Sequence, residues 1–153
     1  MSLSNFQRTA NWLRDCGKPS NKLNVELISV QIGCHIEEVC ELLDTLSVSK
    51  EGYARLLQRC VIDLNALALK LKTGGVIAYI PEHLRVDVLD ALCDAEVTGN
   101  GIAYLAELDK DAADEAVIAS NEAKLVDGKP VILPGGKIGK PQGWMPPNLK
   151  PYV

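Results

Sequence analysis

KLNVELISVQIGCHIEEVCELLDTL, residues 22–46, decides the fold class. Val25, Ile28, Ile32, Ile36, Val39, Leu43 and Leu46 recur along it at steps of three or four, the repeat of one helical face. Upstream, Ser4 is placed to cap a short helix carrying Phe6, Ala10 and Leu13, which Gly17-Lys18-Pro19 stops. Downstream, a third helix runs from about Lys50 to Lys72 through Leu56, Leu57, Val61, Leu64, Leu67, Ala68 and Leu71. Thr73-Gly74-Gly75 supplies its C-terminal stop, and its broad apolar coverage predicts thorough burial. Val76 to Ile80 has strand-like composition but is short enough to be a connection.

Pro81 opens the next element, a helix from about Glu82 to Leu108 with Leu84, Val88, Leu89, Leu92 and Cys93 on its buried side. Gly99 and Gly101 interrupt it; each costs ~1 kcal/mol against alanine, which predicts close packing or a local kink there. A shorter helix follows over about 110–123. Six of the eight prolines and five of the twelve glycines then fall within 127–153, so that stretch is not helical. Within it, Asp127-Gly128 and Pro134-Gly135-Gly136 bracket five residues that read as part of a small hairpin or ordered arm. The expected architecture is all-α: a helical bundle over 1–126, with a Gly/Pro/Lys-rich arm over 127–153 belonging to the same domain.

At 153 residues and 47% hydrophobic, the chain is long enough to build a core without disulfides or a structural metal. Its net charge of −4 argues against sequence-independent binding to a nucleic-acid polymer. The charge is uneven. Residues 127–153 hold four lysines against one aspartate, a basic tail on an acidic body. Cys16, Cys34, Cys40, Cys60 and Cys93 form no C-x-x-C pair and read as reduced core residues. His35 beside Cys34 is not a zinc pair, because adjacent helical residues point about 100° apart and no second ligand cluster follows. Neither histidine has the context of a catalytic triad, and no glycine cluster has P-loop spacing. The N-terminus lacks an apolar signal core and no run is long enough to span a bilayer, so a cytoplasmic protein without a membrane partner is expected. Trp12, Tyr104 and Trp144 read as packing residues.

The chemistry lies in two acidic rows. Glu37-Glu38-Val39-Cys40-Glu41 falls on the second helix, and Asp87, Asp90 and Asp94 on the fourth. Glu38 and Glu41 lie within about 60° of each other around the helix, as do the three aspartates, so each helix carries a carboxylate edge. Like charges at these spacings destabilise a helix by ~0.2–0.5 kcal/mol per pair, and no Lys or Arg intervenes in either row. Solvation of two ordinary polar faces is one explanation. A divalent hard cation is the other, since Mg2+ is held by a few carboxylates together with substrate phosphates.

The EExxE segment at Glu37–Glu41, followed by an acidic helix, resembles the all-α nucleoside triphosphate pyrophosphohydrolase superfamily. That superfamily includes MazG, dimeric dUTPases and phosphoribosyl-ATP pyrophosphohydrolase. The succession Leu89-Asp90-Ala91-Leu92-Cys93-Asp94, Gly101-Ile102-Ala103-Tyr104, Ser120-Asn121-Glu122-Ala123-Lys124, Asp127-Gly128-Lys129-Pro130, Gly136 to Lys140 and Pro146-Pro147-Asn148-Leu149 resembles the MazG-like proteins common in bacteriophages. The likeness covers roughly residues 25–153. It departs from the family where aspartates replace the usual E-x-x-D, leaving Asp87 an alternative to Asp94, and where Val97 stands in place of a tyrosine. About forty-five residues separate Glu41 from Asp87, longer than in compact relatives.

The resemblance implies cleavage of a (deoxy)nucleoside triphosphate between its α and β phosphates, giving a monophosphate and pyrophosphate. It implies Mg2+, with Mn2+ as a substitute, held by Glu38, Glu41, Asp90 and Asp94, with Glu37 or an unligated carboxylate such as Glu38 as the base. Asn121 and Lys124, three apart, are implied contacts to nucleotide or phosphate, and Lys137 and Lys140 are arm residues able to reach phosphate. A homodimer or homotetramer is implied as well, in a host cytoplasm if the chain is phage-encoded. The rival readings are a non-catalytic helical module that senses nucleotide or binds a partner, and an enzyme of the same fold acting on another pyrophosphate such as phosphoribosyl-ATP.

Overall fold

A computed structural model of the chain describes residues 3–132 and 138–153. It is mostly helical: α1 (Asn5–Asp15), α2 (Val25–Asp44), α3 (Glu51–Lys72), α4 (Arg85–Leu105) and α5 (Lys110–Glu122), followed by a two-stranded hairpin, β1 (Leu125–Val126) and β2 (Lys129–Pro130). The fold class is all-α with a C-terminal hairpin, as read from the sequence. Among the described residues no helix is long and apolar enough to cross a membrane. The chain divides into two compact units, Asn21–Arg85 and the pair of segments Met1–Ser20 and Val86–Val153.

In the Asn21–Arg85 unit, α2 and α3 form a tightly packed antiparallel pair. Asn24 caps α2 by accepting from the Leu27 N–H, and Gly74, in a left-handed conformation at φ 76°, ends α3 as expected. The burial differs from expectation. α2 buries Ser29, Gly33 and Cys40, small residues beside the anticipated apolar row, while Val39 and Leu46 of that row are exposed. These small residues let the backbones approach: a Cβ on Gly33 would stand 2.9 Å from the Ala68 carbonyl oxygen and 3.0 Å from the Leu71 Cβ. α3 answers with one stripe, Val61, Ala68 and Leu71, and leaves Leu56, Leu67 and Leu69 exposed, so its burial is narrower than its composition predicts.

No strand forms over residues 76–80. Instead the fully buried Ser29 hydroxyl accepts from the Ala78 N–H at 3.0 Å and donates to the Val76 carbonyl at 3.5 Å, tying the connection to α2. A buried hydroxyl used in both directions has satisfied the donor and acceptor that burial would otherwise strand.

In the other unit, Ser4 and Gln7 form a capping box at the start of α1. α1 packs on α5, where Arg8 spreads its guanidinium over both Glu115 oxygens at 2.7 Å and both Glu122 oxygens at 2.7 and 2.9 Å. The Arg8 hydrogen bonds hold the Glu122 carboxyl below its ordinary range. The folded chain therefore binds that proton less readily than the unfolded one. The fork's contribution is fully present above the ordinary glutamate pKa and is lost as the pH falls through the lowered value. Glu122→Gln is expected to melt roughly 1–4 °C below the parent protein at neutral pH, as a partly exposed pair allows, with the gap closing in acid. Thermal unfolding at several pH values checks this, and a gap indifferent to pH would contradict it.

α4 departs most from its sequence reading. Leu84, Leu89, Leu92 and Cys93, expected to be buried, are exposed, and Val88 is half-buried. Nothing lies within 4 Å of where a Cβ would stand on Gly99 or Gly101, so neither marks a close approach, and the helix runs unbroken through both. Cys60 is exposed as well; all five cysteines are free thiols, with Cys16 and Cys40 buried and Cys34 between. Tyr104, read as packing, is exposed.

The C-terminal arm is fastened along α5. Asp109 caps that helix on the Ala112 N–H, and its own N–H donates to the Tyr152 carbonyl. The Asp127-Gly128 turn has φ of 50° and 73°, the pair of positive values that a two-residue type I′ hairpin requires. An isolated bridge between Ile132 and Ile138 extends the ordered arm beyond the hairpin. Pro134-Gly135-Gly136 lies outside the described residues.

Candidate functional site

The acids of α2 divide by neighbour. Glu37 faces α3, half-buried, and its carboxylate accepts a hydrogen bond from the Lys72 ammonium. Sequence spacing within α2 holds no sign of this partner, because Lys72 comes from the far end of α3 and meets Glu37 only through the antiparallel pairing. Glu38 and Glu41 point outward and are exposed. Lys72 thus relieves the inner member of the row.

On α4, Asp87, Asp90 and Asp94 are all exposed. None of the three, nor Glu41, makes an ion pair among the described residues. Thr98 Oγ1 donates to the Asp94 backbone carbonyl and leaves its carboxylate alone. No group of three or more His, Cys, Asp or Glu side chains placed to hold one metal ion is found among the described residues. The donor chemistry nevertheless suits Mg2+, which takes oxygen ligands and is commonly bound through only one or two carboxylates, completing its shell with waters and substrate phosphate. Exposed pairs at i,i+3 (Glu38 and Glu41) and i,i+4 (Asp90 and Asp94) offer that number of oxygens on one face.

Three of the four implied phosphate-side residues come together. Lys124, just past the end of α5, donates from Nζ to Asn121 Oδ1 at 2.8 Å, so the pair faces one way as its spacing predicts. The arm brings Lys140 to the same place. Both ammoniums lie over the Trp144 indole, Lys140 at 4.5 Å and Lys124 at 5.4 Å from the ring centroid. The ring is itself fixed: its Nε1–H donates to the Ser120 carbonyl at 2.9 Å, and Ser120 Oγ donates to the Met145 carbonyl at 3.4 Å. Lys137 lies outside the described residues.

Trp144 is the site residue that sequence reading passed over as packing. The usable signal was a tryptophan four residues after a lysine, in a basic stretch that returns to a helix end carrying a second lysine. Burial pushes the Cys16 and Cys40 thiols up, away from the thiolate that a nucleophile needs.

No protein-family model, no curated protein and no solved structure matches this chain.

Proposed function

We propose that this protein is a Mg2+-dependent (deoxy)nucleoside triphosphate pyrophosphohydrolase that cleaves between the α and β phosphates. The observation that carries the reading is the convergence of Lys140 and of Lys124, which is hydrogen-bonded to Asn121, on Trp144, since these three residues belong to the segments in which the chain resembles MazG-like enzymes. The exposed carboxylates of α2 and α4 support it from the acidic side.

In this reading the carboxylates of Glu38 and Glu41 on α2 and of Asp90 and Asp94 on α4 are the ligands for one or more Mg2+ ions. The chemistry that Mg2+ supplies when bound is neutralisation of phosphate charge and a lowered pKa for water. Lys124 and Lys140 offer ammonium donors to phosphate oxygens, where charge-assisted hydrogen bonds are strongest. Asn121 holds Lys124 in place. Glu37, or a carboxylate of the row not engaged by the ion, accepts the proton of the attacking water, and Lys72 anchors Glu37 for that role. A homodimer or homotetramer belongs to the same proposal, and the exposed Val86, Leu89, Leu92 and Val97 of α4 favour it, because several large apolar side chains left exposed on one helix suit a contact surface.

The test is incubation with each deoxynucleoside triphosphate and Mg2+, with pyrophosphate and monophosphate both quantified. Equal amounts of the two products are expected, and none without the divalent ion.

A further inference from the structure

Within the Asn21–Arg85 unit, a cavity of about 560 Å³ opens between the C-terminal end of α2, the connection that follows it and the first turns of α3. Its walls are largely apolar: Val61 is buried, Leu43 and Leu57 are half-buried, and Leu46 and Val48 are exposed along its edge. A cavity of this size falls in the range of small-molecule sites, which combine apolar walls with a few placed polar groups. On the rim, Arg55 stands 4.0 Å from Glu51, whereas the exposed Asp44 carboxylate makes no ion pair among the described residues. Asp44 is the last residue of α2, and the last turn of that helix carries no basic side chain. Its carboxylate therefore adds to the negative end of the helix dipole, where hydrogen donors are favoured. The cavity offers apolar walls beside an acceptor that calls for N–H groups.

We propose that this cavity holds the base of a guanine nucleotide, with Asp44 as the residue that selects it. Guanine presents two adjacent donors, N1–H and the N2 amino group, on its Watson–Crick edge, and one carboxylate accepts from both. Adenine and cytosine set an amino donor beside a ring nitrogen that is an acceptor, and thymine sets its N3–H between two carbonyl oxygens. Each of these three brings an acceptor against the carboxylate, which guanine avoids. The apolar faces of the base pack on the leucine walls. Asp44 follows Glu41 by three residues, about 4.5 Å along the helix axis, so the cavity begins one turn beyond the acid row. The inference deepens the pyrophosphohydrolase reading by naming the base of its substrate, and it rests on that reading for phosphates lying at the row.

The experiment is calorimetric titration of the full chain with dGMP, dAMP, dCMP and dTMP. The phosphate and sugar are common to the four, so differences in affinity report the base. Binding of dGMP about tenfold tighter than the others is expected, the worth of a hydrogen bond to a charged group. Asp44→Asn should lose that advantage. It should instead favour the xanthine nucleotide dXMP, because the new amide donates to the carbonyl oxygen that replaces the N2 amino group while still accepting from N1–H. Leu46→Ser, on the cavity edge, should weaken all four nucleotides by about fivefold without changing their order. Thermal unfolding is measured on each variant, and Asp44→Asn should melt no lower than the parent, since it removes a negative charge from a helix C-terminus.

Equal affinity for the four bases overturns the proposal, as does unchanged dGMP affinity in Asp44→Asn or the absence of binding by any of them. Pyrophosphate release at the same kcat/KM from all four deoxynucleoside triphosphates sinks this site and leaves the pyrophosphohydrolase reading standing. Binding of dGMP that depends on Asp44, by a protein that releases no pyrophosphate, does the reverse.

Discussion

Glu41→Gln and Asp90→Asn are each expected to cut pyrophosphate release by about 10²–10³-fold, the loss that follows removal of one group stabilising transition-state charge. Helix content should not change. Both side chains are exposed, neither makes an ion pair among the described residues, and each stands in a row of like charges. Losing one negative charge from such a row relieves repulsion, so the melting temperature without metal should hold or rise slightly. A ligand role also predicts partial recovery of rate at high Mg2+ concentration, because weaker coordination raises the ion concentration needed for saturation. Steady-state rates across a Mg2+ series, beside melting curves for the same variants, check both parts. Full activity in either variant would remove that carboxylate from the site.

The second large effect falls on stability. Gly33→Ala places a methyl 2.9 Å from the Ala68 backbone oxygen, and that oxygen cannot move without shifting α3. Overpacking of this kind costs about 1–3 kcal/mol, more than the ~1 kcal/mol that alanine gains over glycine in helix propensity. Net destabilisation is therefore expected, and Gly33→Val should be worse. Gly99→Ala on α4 is the control. It meets nothing within 4 Å and should stabilise by about 0.5–1 kcal/mol. Opposite signs for the two substitutions in thermal or urea unfolding would establish that α2 and α3 meet at Gly33. The same sign for both would contradict the packing described.

The helices were legible because their signals are local. Apolar recurrence over 22–46, the Ser4 cap and the stop at Thr73-Gly74-Gly75 each act within a turn or two, and α2, α3 and α5 begin and end close to where those signals place them. Burial was less legible. Ser29, Gly33 and Cys40 carry little hydrophobic signal, yet they occupy the α2 face that α3 approaches most closely, while larger neighbours stay exposed. A hydropathy pattern finds the bulky row and misses the small one beside it.

The candidate site divides along the same line. Glu38, Glu41, Asp90 and Asp94 were visible as acids spaced on helical edges, since spacing within a helix fixes a face. The partners were not visible. Lys72 reaches Glu37 only because α3 returns antiparallel to α2, and Trp144 joins Lys124 only because the arm folds back along α5. Asn121 and Lys124, three residues apart, lie on one side of the helix end as their spacing foresaw.

The most direct test of the account is product analysis after incubating the purified chain with a deoxynucleoside triphosphate and Mg2+. Pyrophosphate and the corresponding monophosphate should accumulate in equal amounts, and chelation of the ion should stop both. Tight nucleotide binding with no pyrophosphate from any nucleoside triphosphate, or release of orthophosphate and a diphosphate instead, would contradict it.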